Sequence, residues 1–310
     1  MSRIWESLYS KNGLAAKFIA KELIQFSEGE RIPRVSDFTD KLSLGRGTVQ
    51  GALRVLEDLH AISLESRGHL GTFLKKRDIN LLYEIAGVGP VMGVMPLPYS
   101  RKYEGLATGI VEGFEEINKK SGLAYMRGAR RRIESLKTRR YDFAIMSQLA
   151  AEEAVQEFNG LEILHTLGPE TYVTSHKVFF SDSKNSEITD GMKIGIDYSS
   201  ADQANITLLE CEEHKVELIK VDYMQLFNML KNGSIDAAVW NADEARALKT
   251  FASSDFKSKR AKELAVKATR AAIVIESERT NIREQIQLLQ FNKVEEIQRL
   301  VEEGKKYPHY

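Results

Sequence analysis

Arg46, Thr48, Gln50 and Arg54 crowd the stretch Gly45–Leu59, GRGTVQGALRVLEDL, and their types and spacing suggest chemistry before any others in this 310-residue chain. Val49, Leu53 and Leu56 fall at i, i+4 and i+7 with Ala52 beside them, one apolar stripe of helical period. The hydrogen-bonding side chains lie off that stripe. A helix built this way packs one side on a small core and offers guanidinium, hydroxyl and amide groups on the other, as a helix lying in the DNA major groove does. Taken alone, the same pattern also describes an ordinary amphipathic surface helix. Covalent chemistry finds less support. The six histidines (His60, His69, His165, His176, His214, His309) show no HExxH or paired metal spacing. Cys211 sits on an apolar-patterned helix, as a buried thiol does. No GxSxG or Walker pattern occurs, and Gly87-Val88-Gly89 lacks a third glycine. The expectation is no catalytic residue, no metal site and no cofactor.

The elements that position the polar helix are legible on both sides of it. Residues 13–27 carry Leu14, Phe18, Ile19, Leu23 and Phe26 at helical spacing, ended by the Gly29 turn. Ile32-Pro33 turns the chain, because proline forces its predecessor into extended geometry. Ser36 is placed to cap a short helix, SDFTDKL, with Phe38 and Leu42 facing inward. Ser43-Leu44-Gly45 is then a turn of helix-turn-helix length. After Leu59 the period changes: Ala61–Glu65 alternates as a strand, Ser66–His69 reads as a turn and Leu70–Leu74 as a second strand, a hairpin wing.

Ile32-Pro33, Leu42-Ser43-Leu44, Arg46, Thr48-Val49, Ala52-Leu53, Leu56 and Gly71-Thr72-Phe73 together resemble the winged-helix signature of GntR-type bacterial transcription regulators, over about the first quarter of the chain. The resemblance implies double-stranded DNA as partner, with Arg46 and Thr48 on bases or phosphates and Gln50 bidentate to adenine. It also implies backbone contacts from Arg34, Arg54, Arg67 and His69. The chain departs from the family pattern at Ser36, where an arginine is usual, at Gly45 and Gly47, which flank Arg46, and at His69, in place of the first wing glycine. Ser36 and Gly47 belong to the expected DNA-facing set. Glycines here cost helix propensity but let backbone amides approach a phosphate closely.

Residues 79–310 read differently. Lys75–Asp78 and Ile79–Gly89 pass from charged to apolar residues, which suggests a linker, a first domain at 1–78 and a second at 79–310. Pro90–Pro98 holds an unbroken apolar run, the mark of a strand buried on both faces of a mostly parallel sheet. A helix follows at Glu104–Lys120 (Leu106, Ile110, Phe114 and Ile117 inward), then a strand LAYMRGA, a helix Ile133–Arg140 and a strand YDFAIM. The alternation restarts with KIGID, a helix Ala201–Cys211 capped by Ser199 or Ser200, a strand Glu217–Val221, a helix Tyr223–Asn232 and a strand Ile235–Trp240. Leu161–Asp182 runs between the two as extended chain, RAAIVIES carries the chain back, and Asn292–Lys305 closes it as a helix. This predicts two α/β lobes, the first at about 90–175 plus the carboxyl-terminal segment and the second at about 190–265.

Two α/β lobes joined by double crossing connections resemble the periplasmic-binding-protein fold of the second type. A GntR-type head on such a body resembles the YhfZ family of regulators. A chorismate-lyase-like body is the competing expectation, but it predicts more strand alternation than the sequence has. In the two-lobed architecture a ligand lies between the lobes, at strand carboxyl ends and helix amino ends. The residues at those places are Tyr99, Ser100 and Arg101, then Ser147 and Gln148, then Tyr198, Ser199 and Ser200, and finally Trp240 and Asn241. Hydroxyls, amides, one arginine and aromatic walls suit a small anion bearing a carboxylate or phosphate. The basic run from Arg127 to Arg140 is open to three readings: a solvated face, an auxiliary DNA contact, or a dimer surface facing Glu295, Glu296, Glu302 and Glu303.

Charge and composition fit this division. Lys+Arg and Asp+Glu balance at 44 each, yet residues up to Asp78 hold thirteen basic and ten acidic groups, leaving 31 against 34 beyond. That is the sign expected of a DNA-binding head on a neutral body. A single cysteine fits a reducing cytoplasm, and the amino terminus MSRIWESLYSK lacks the apolar run of a leader. The longest uncharged stretch, Ile85–Ser100, carries glutamate-free but Gly- and Pro-rich sequence too short to span a bilayer. The expected activity is a homodimeric, sequence-specific DNA-binding regulator responsive to a small effector. A ligand-independent DNA binder whose body only dimerises, or an enzyme acting on the bound ligand, are the alternatives.

Overall fold

The computed structural model describes residues 10–87, 89–243 and 250–310. The first nine residues, on which the leader expectation mostly rests, and Val88 of the Gly-Val-Gly triplet lie outside the described residues. The chain divides into two compact units, Met1–Gly89 and Pro90–Tyr310.

In the first unit Ser10 Oγ accepts from the Gly13 amide and starts helix α1 (Lys11–Leu23), which buries Ala15, Ala16, Ile19, Ala20 and Leu23. It ends about a turn before Ser27, because the Ser27 amide bonds the Glu30 carboxylate at 2.7 Å in a turn completed by Gly29 at φ +87°. Helix α2 (Val35–Leu42) starts at Arg34 rather than at Ser36. The Asp37 carboxylate reaches back to the Arg34 amide at 2.8 Å, so Ser36 lies inside the first turn. Ser43 in left-handed geometry ends α2, and Gly45 leads into α3 (Arg46–Asp58). Val49, Ala52 and Leu56 of α3 are fully buried in one core with Phe38, Ile19 and Leu23.

Strands β1 (Ile62–Ser66) and β2 (Thr72–Arg77) pair antiparallel as the wing. The second strand begins later than expected, because Gly68–Leu70 closes a 3-10 turn ended by Gly71 at φ +99°. The stretch expected as a linker is instead helix α4 (Ile79–Ala86). Asp78 caps it through the Asn80 and Leu81 amides, and Leu82 and Ala86, one helical turn apart, are buried in the first unit's core. What reads as a transition is therefore a helix face, and the units part at Gly89–Pro90.

The second unit is two sheets flanked by helices. Its first lobe is laid down by β3 (Val91–Met95), α5 (Arg101–Glu116), β4 (Ser121–Tyr125), α6 (Ala129–Lys137), β5 (Phe143–Ser147), α7 (Gln148–Glu157) and β6 (Leu161–Thr166). The second lobe follows with β7 (His176–Phe180), β8 (Lys193–Ile196), α8 (Ala201–Glu210), β9 (Glu217–Lys220), α9 (Tyr223–Lys231), β10 (Ala237–Asn241), β11 (Ala252–Ser254) and α10 (Lys259–Ala268). The chain then returns through β12 (Ala271–Glu276), α11 (Thr280–Gln287) and α12 (Phe291–Glu302). The first sheet has the order β4-β3-β5-β12-β6 and the second β11-β7-β10-β8-β9. Strands β4, β3 and β5 are parallel, as are β10, β8 and β9, while β12 and β7 run against their neighbours. The extended chain expected between the lobes is thus two strands of different sheets, and the second lobe starts at His176 rather than near residue 190. Helix α7 follows β5 with no loop, since Ser147 ends the strand and caps the helix through the Ala150 amide. No helix of the described residues is long and apolar enough to cross a membrane.

Helix α12 closes the first lobe by lying against α5 at glycines. A Cβ on Gly105 would stand 2.7 Å from the Gln298 carbonyl oxygen, and one on Gly109 2.6 Å from that of Val294. Backbone cannot yield as a flexible side chain does. Gly109→Ala should therefore lower unfolding stability by about 1–3 kcal/mol through overpacking, despite alanine's better helix propensity, as read by urea denaturation. Unchanged or raised stability would contradict the close approach.

Candidate functional site

On the first unit, Arg46, Gln50 and Arg54 are exposed along α3 and Thr48 is half-buried. Arg34, Ser36 and Gly47 are exposed near them in sequence. Among the described residues no carboxylate stands within ion-pair distance of Arg34, Arg46 or Arg54, so these guanidinium groups are available to an outside partner. Arg67 is held differently: it pairs with Glu65 at 2.9 Å and lies 4.4 Å over the Phe73 ring, stiffening the wing. His69 is exposed at the hairpin tip. A Cβ on Gly45 or Gly47 would meet open space, and neither has a positive φ. Nothing in the described fold requires glycine at the start of this helix.

The second unit holds a cleft of about 850 Å³ between its lobes. Of the residues expected there, Tyr99, Tyr198, Ser199, Ser200, Trp240 and Asn241 line it; Ser100, Arg101, Ser147 and Gln148 do not. Ser100 caps α5 through the Tyr103 amide. Arg101 is exposed and pairs with Glu104 at 3.3 Å. Ser147 is fully buried beneath the cleft wall, capping α7 while its hydroxyl donates to Asp202 at 2.6 Å. The Gln148 amide donates to Glu152. All four sit at the junction of a strand end with a helix start, where local hydrogen bonds compete with any ligand.

The amino end of α8 is also less open to an anion than its hydroxyls suggest. Asp197 Oδ1 accepts from both the Ser199 amide (2.9 Å) and the Ser199 hydroxyl (2.6 Å), and Ser200 caps the Gln203 amide. Asp202 adds a carboxyl in the first turn. The opposite wall is the basic run: Arg127, Arg130, Arg131 and Arg132 line the cleft from the start of α6. Arg130 pairs with Glu157 and Glu134, Arg139 with Glu276 and Glu278, and Lys137 lies over Phe158, so much of the run is engaged within the chain. Arg132, 3% exposed, donates to the Met126 carbonyl at 2.7 Å and the Tyr172 hydroxyl at 3.3 Å. Tyr99, Tyr103 and Tyr172 stack edge to face beside it, with centroids 5.2 and 5.3 Å apart. Arg132, Tyr103, Tyr172, His176 and Asp202 are the lining residues that spacing alone missed. The one available signal was the density of arginines just before a helix.

Three buried polar atoms in this lining make no hydrogen bond among the described residues: Arg132 Nε, His176 Nδ1 and Asn241 Oδ1. Asn241 Nδ2 donates to the Tyr99 hydroxyl of the other lobe at 3.2 Å. Burial pushes the Asp202 carboxyl up to about 7, against the pull of the Ser147 hydroxyl and Arg132. Burial lowers His176 to about 4. The two groups act on stability in opposite directions. Asp202 holds its proton more tightly when folded, so its contribution is fully present near pH 4 and lost as pH rises towards 7. His176 resists protonation when folded, so its contribution is lost as pH falls from about 6.5 towards 4. Asp202→Asn should flatten the fall in melting temperature between pH 4 and 7, and His176→Gln should remove the opposing loss. Parallel wild-type and Asp202→Asn profiles would contradict the assignment.

Comparison with known proteins places both units. A family model described as "YhfZ C-terminal domain" matches residues 78–310, and one described as "Helix-turn-helix domain" matches residues 27–74. A curated relative, the uncharacterized protein YhfZ of Escherichia coli (strain K12), is 33% identical over 231 residues, covering 74% of this chain and 75% of the relative. The crystal structure of YhfZ from Shigella flexneri superposes with a TM-score of 0.61 at 29% identity, covering 72% of this chain and 94% of that one. The periplasmic aliphatic sulphonate binding protein SsuA of Escherichia coli shares the fold, with a TM-score of 0.50 at 14% identity over 69% of this chain and 74% of that one. A DNA-binding-type head and a two-lobed, binding-protein-like body thus stand in one chain, which belongs to the YhfZ family.

Proposed function

We propose that this protein is a sequence-specific DNA-binding transcription regulator of GntR type, acting as a homodimer, whose operator affinity is set by a small anionic ligand held between the lobes of its second unit. The observation that carries the reading is the pairing, in one chain, of exposed arginines on a helix-turn-helix, which form no ion pair among the described residues, with a polar-lined interlobe cleft. The first is a surface that lacks its counter-charge. The second is a cavity in which three buried polar atoms, Arg132 Nε, His176 Nδ1 and Asn241 Oδ1, lack partners among the described residues, which native interiors avoid unless a ligand or water supplies them. Arg46, Thr48 and Gln50 read bases, and Arg34 and Arg54 hold phosphates. Ligand binding favours one lobe arrangement. The dimer then presents its two recognition helices at a spacing that does or does not match the half-sites. A coupling of about 1–3 kcal/mol between ligand and operator suffices for useful control. No step of this reading needs bond chemistry, and no residue is assigned a catalytic role.

Two substitutions on α3 separate recognition from folding. Arg46→Ala should weaken specific operator binding by about 1–3 kcal/mol in gel-shift titrations and leave ligand-induced thermal shifts intact. Loss of the ligand response with operator binding preserved would reverse the roles. Gly47→Ala should raise stability by up to about 1 kcal/mol, because it adds helix propensity in open space, and should weaken DNA binding by crowding a phosphate. Stabilisation with undiminished operator affinity would show that the helix start does not meet DNA.

A further inference from the structure

We infer that the first lobe of the cleft carries an oxyanion subsite formed by the Arg132 guanidinium and the leading amides of α6. The inference deepens the ligand reading above and rests on it. It moves the anion from the serines of the second lobe, where spacing suggests it, to the opposite wall.

Three observations converge there. Arg132 is 3% exposed and has no carboxylate within ion-pair distance among the described residues. Its two hydrogen bonds go to neutral oxygens, the Met126 carbonyl and the Tyr172 hydroxyl, and Nε has none. A buried guanidinium bonded only to neutral oxygens is unfavourable; Asp202 acts on it electrostatically without bonding it, and the cleft it lines is where a bonded counter-charge can enter. Second, α6 begins at Gly128 with no side-chain cap and no acidic residue in its first turn, and Gly128, Ala129 and Arg130 line the same cleft. Its unsatisfied amides and dipole add to the positive potential. Third, the facing α8 is already supplied with acid. Asp197 takes the Ser199 amide and hydroxyl, and Asp202 is tied to Ser147 rather than to Arg132. The cleft is therefore polarised: the first lobe lines it with Arg127, Arg130, Arg131 and Arg132 against Glu134, Glu153 and Glu157, and the second with Asp197, Asp202 and Asp222 and no lysine or arginine. An ionised Asp202 opposes the incoming anion, while a protonated Asp202 does not.

The test uses the full chain and simple anions: thermal unfolding titrated with sulfate, inorganic phosphate or acetate, against chloride at matched ionic strength. A saturable rise beyond chloride is expected in at least one series; the sulfate and phosphate series against acetate tell a tetrahedral oxyanion from a carboxylate. Arg132→Met should unfold no lower than wild type without anion, since an uncompensated buried charge is removed, and its half-saturation should be weaker by about tenfold or more. Arg140→Gln, at an exposed residue outside the cleft lining, should respond as wild type. Should Arg132→Met not fold, Asp202→Asn at pH 8 decides the matter by a tighter half-saturation than wild type. A response unchanged in Arg132→Met, or no saturable component in any series, overturns the subsite. Operator gel shifts are run alongside. Intact operator binding without an anion response removes the subsite alone, and an anion response without operator binding removes the regulator reading alone.

Discussion

Strand β12 lies antiparallel between β5 and β6, and its AAIVI core is wholly buried. That pairing is the constraint on which the second unit depends. The first lobe's sheet has a gap that only the returning chain fills, so everything from β7 to α10 must be an excursion that leaves and comes back. Two connections then run between the lobes, and the cleft opens where they cross. Ser147 at the end of β5 and Arg270 at the start of β12 face each other there, with the Gln148 amide bonded to the Arg270 carbonyl at 2.8 Å. The same place brings Ser147 of one lobe to Asp202 of the other. The pairing that completes the sheet thus also sets the floor of the cleft.

The chemistry of the cleft follows from how its walls are satisfied. Helix starts are anion sites only while their amides are free. Two helices whose starts meet the cleft differ in this respect: α8 is closed by its own aspartates and serines, and α6 opens on glycine. Aromatic packing does the rest. The Tyr99–Tyr103–Tyr172 stack carries the apolar core of the first lobe to the edge of the cleft and offers the Tyr172 hydroxyl to Arg132. Arg132 can then be buried without being paired, a state that leaves its charge expressed towards the cavity.

The first unit uses a small core to present an unneutralised surface. Among the described residues, four helices and a hairpin bury Phe38, Val49, Leu56, Leu74 and Leu82 together, and this suffices to hold α3 without help from its polar side. Arg46, Gln50 and Arg54 are spared structural duties, whereas Arg67 on the wing is not. Freedom from ion-pair partners among the described residues, more than charge alone, marks α3 as the proposed recognition face.

The amino-acid sequence by itself determined which segments are helix or strand wherever an apolar stripe recurs at period 3.6 or a short apolar run is bounded by turns. Val49-Ala52-Leu56 and Pro90–Pro98 are such cases, because burial of one face depends on spacing along the chain. It also located Tyr99, Ser199, Trp240 and Asn241, since strand ends and helix starts are local features. Tertiary structure decided the rest. The Ile79–Ala86 segment became a helix of the first unit because Leu82 and Ala86 found a core to enter. Leu161–Asp182 was divided between two sheets because each half met a different partner strand. Arg132, the fourth basic group of an apparently solvated run, became a buried cleft residue, while Arg101 stayed in water beside Glu104. Periodicity is set by a residue's neighbours in sequence, whereas the loss of water around a charge is set by chain segments that arrive from elsewhere.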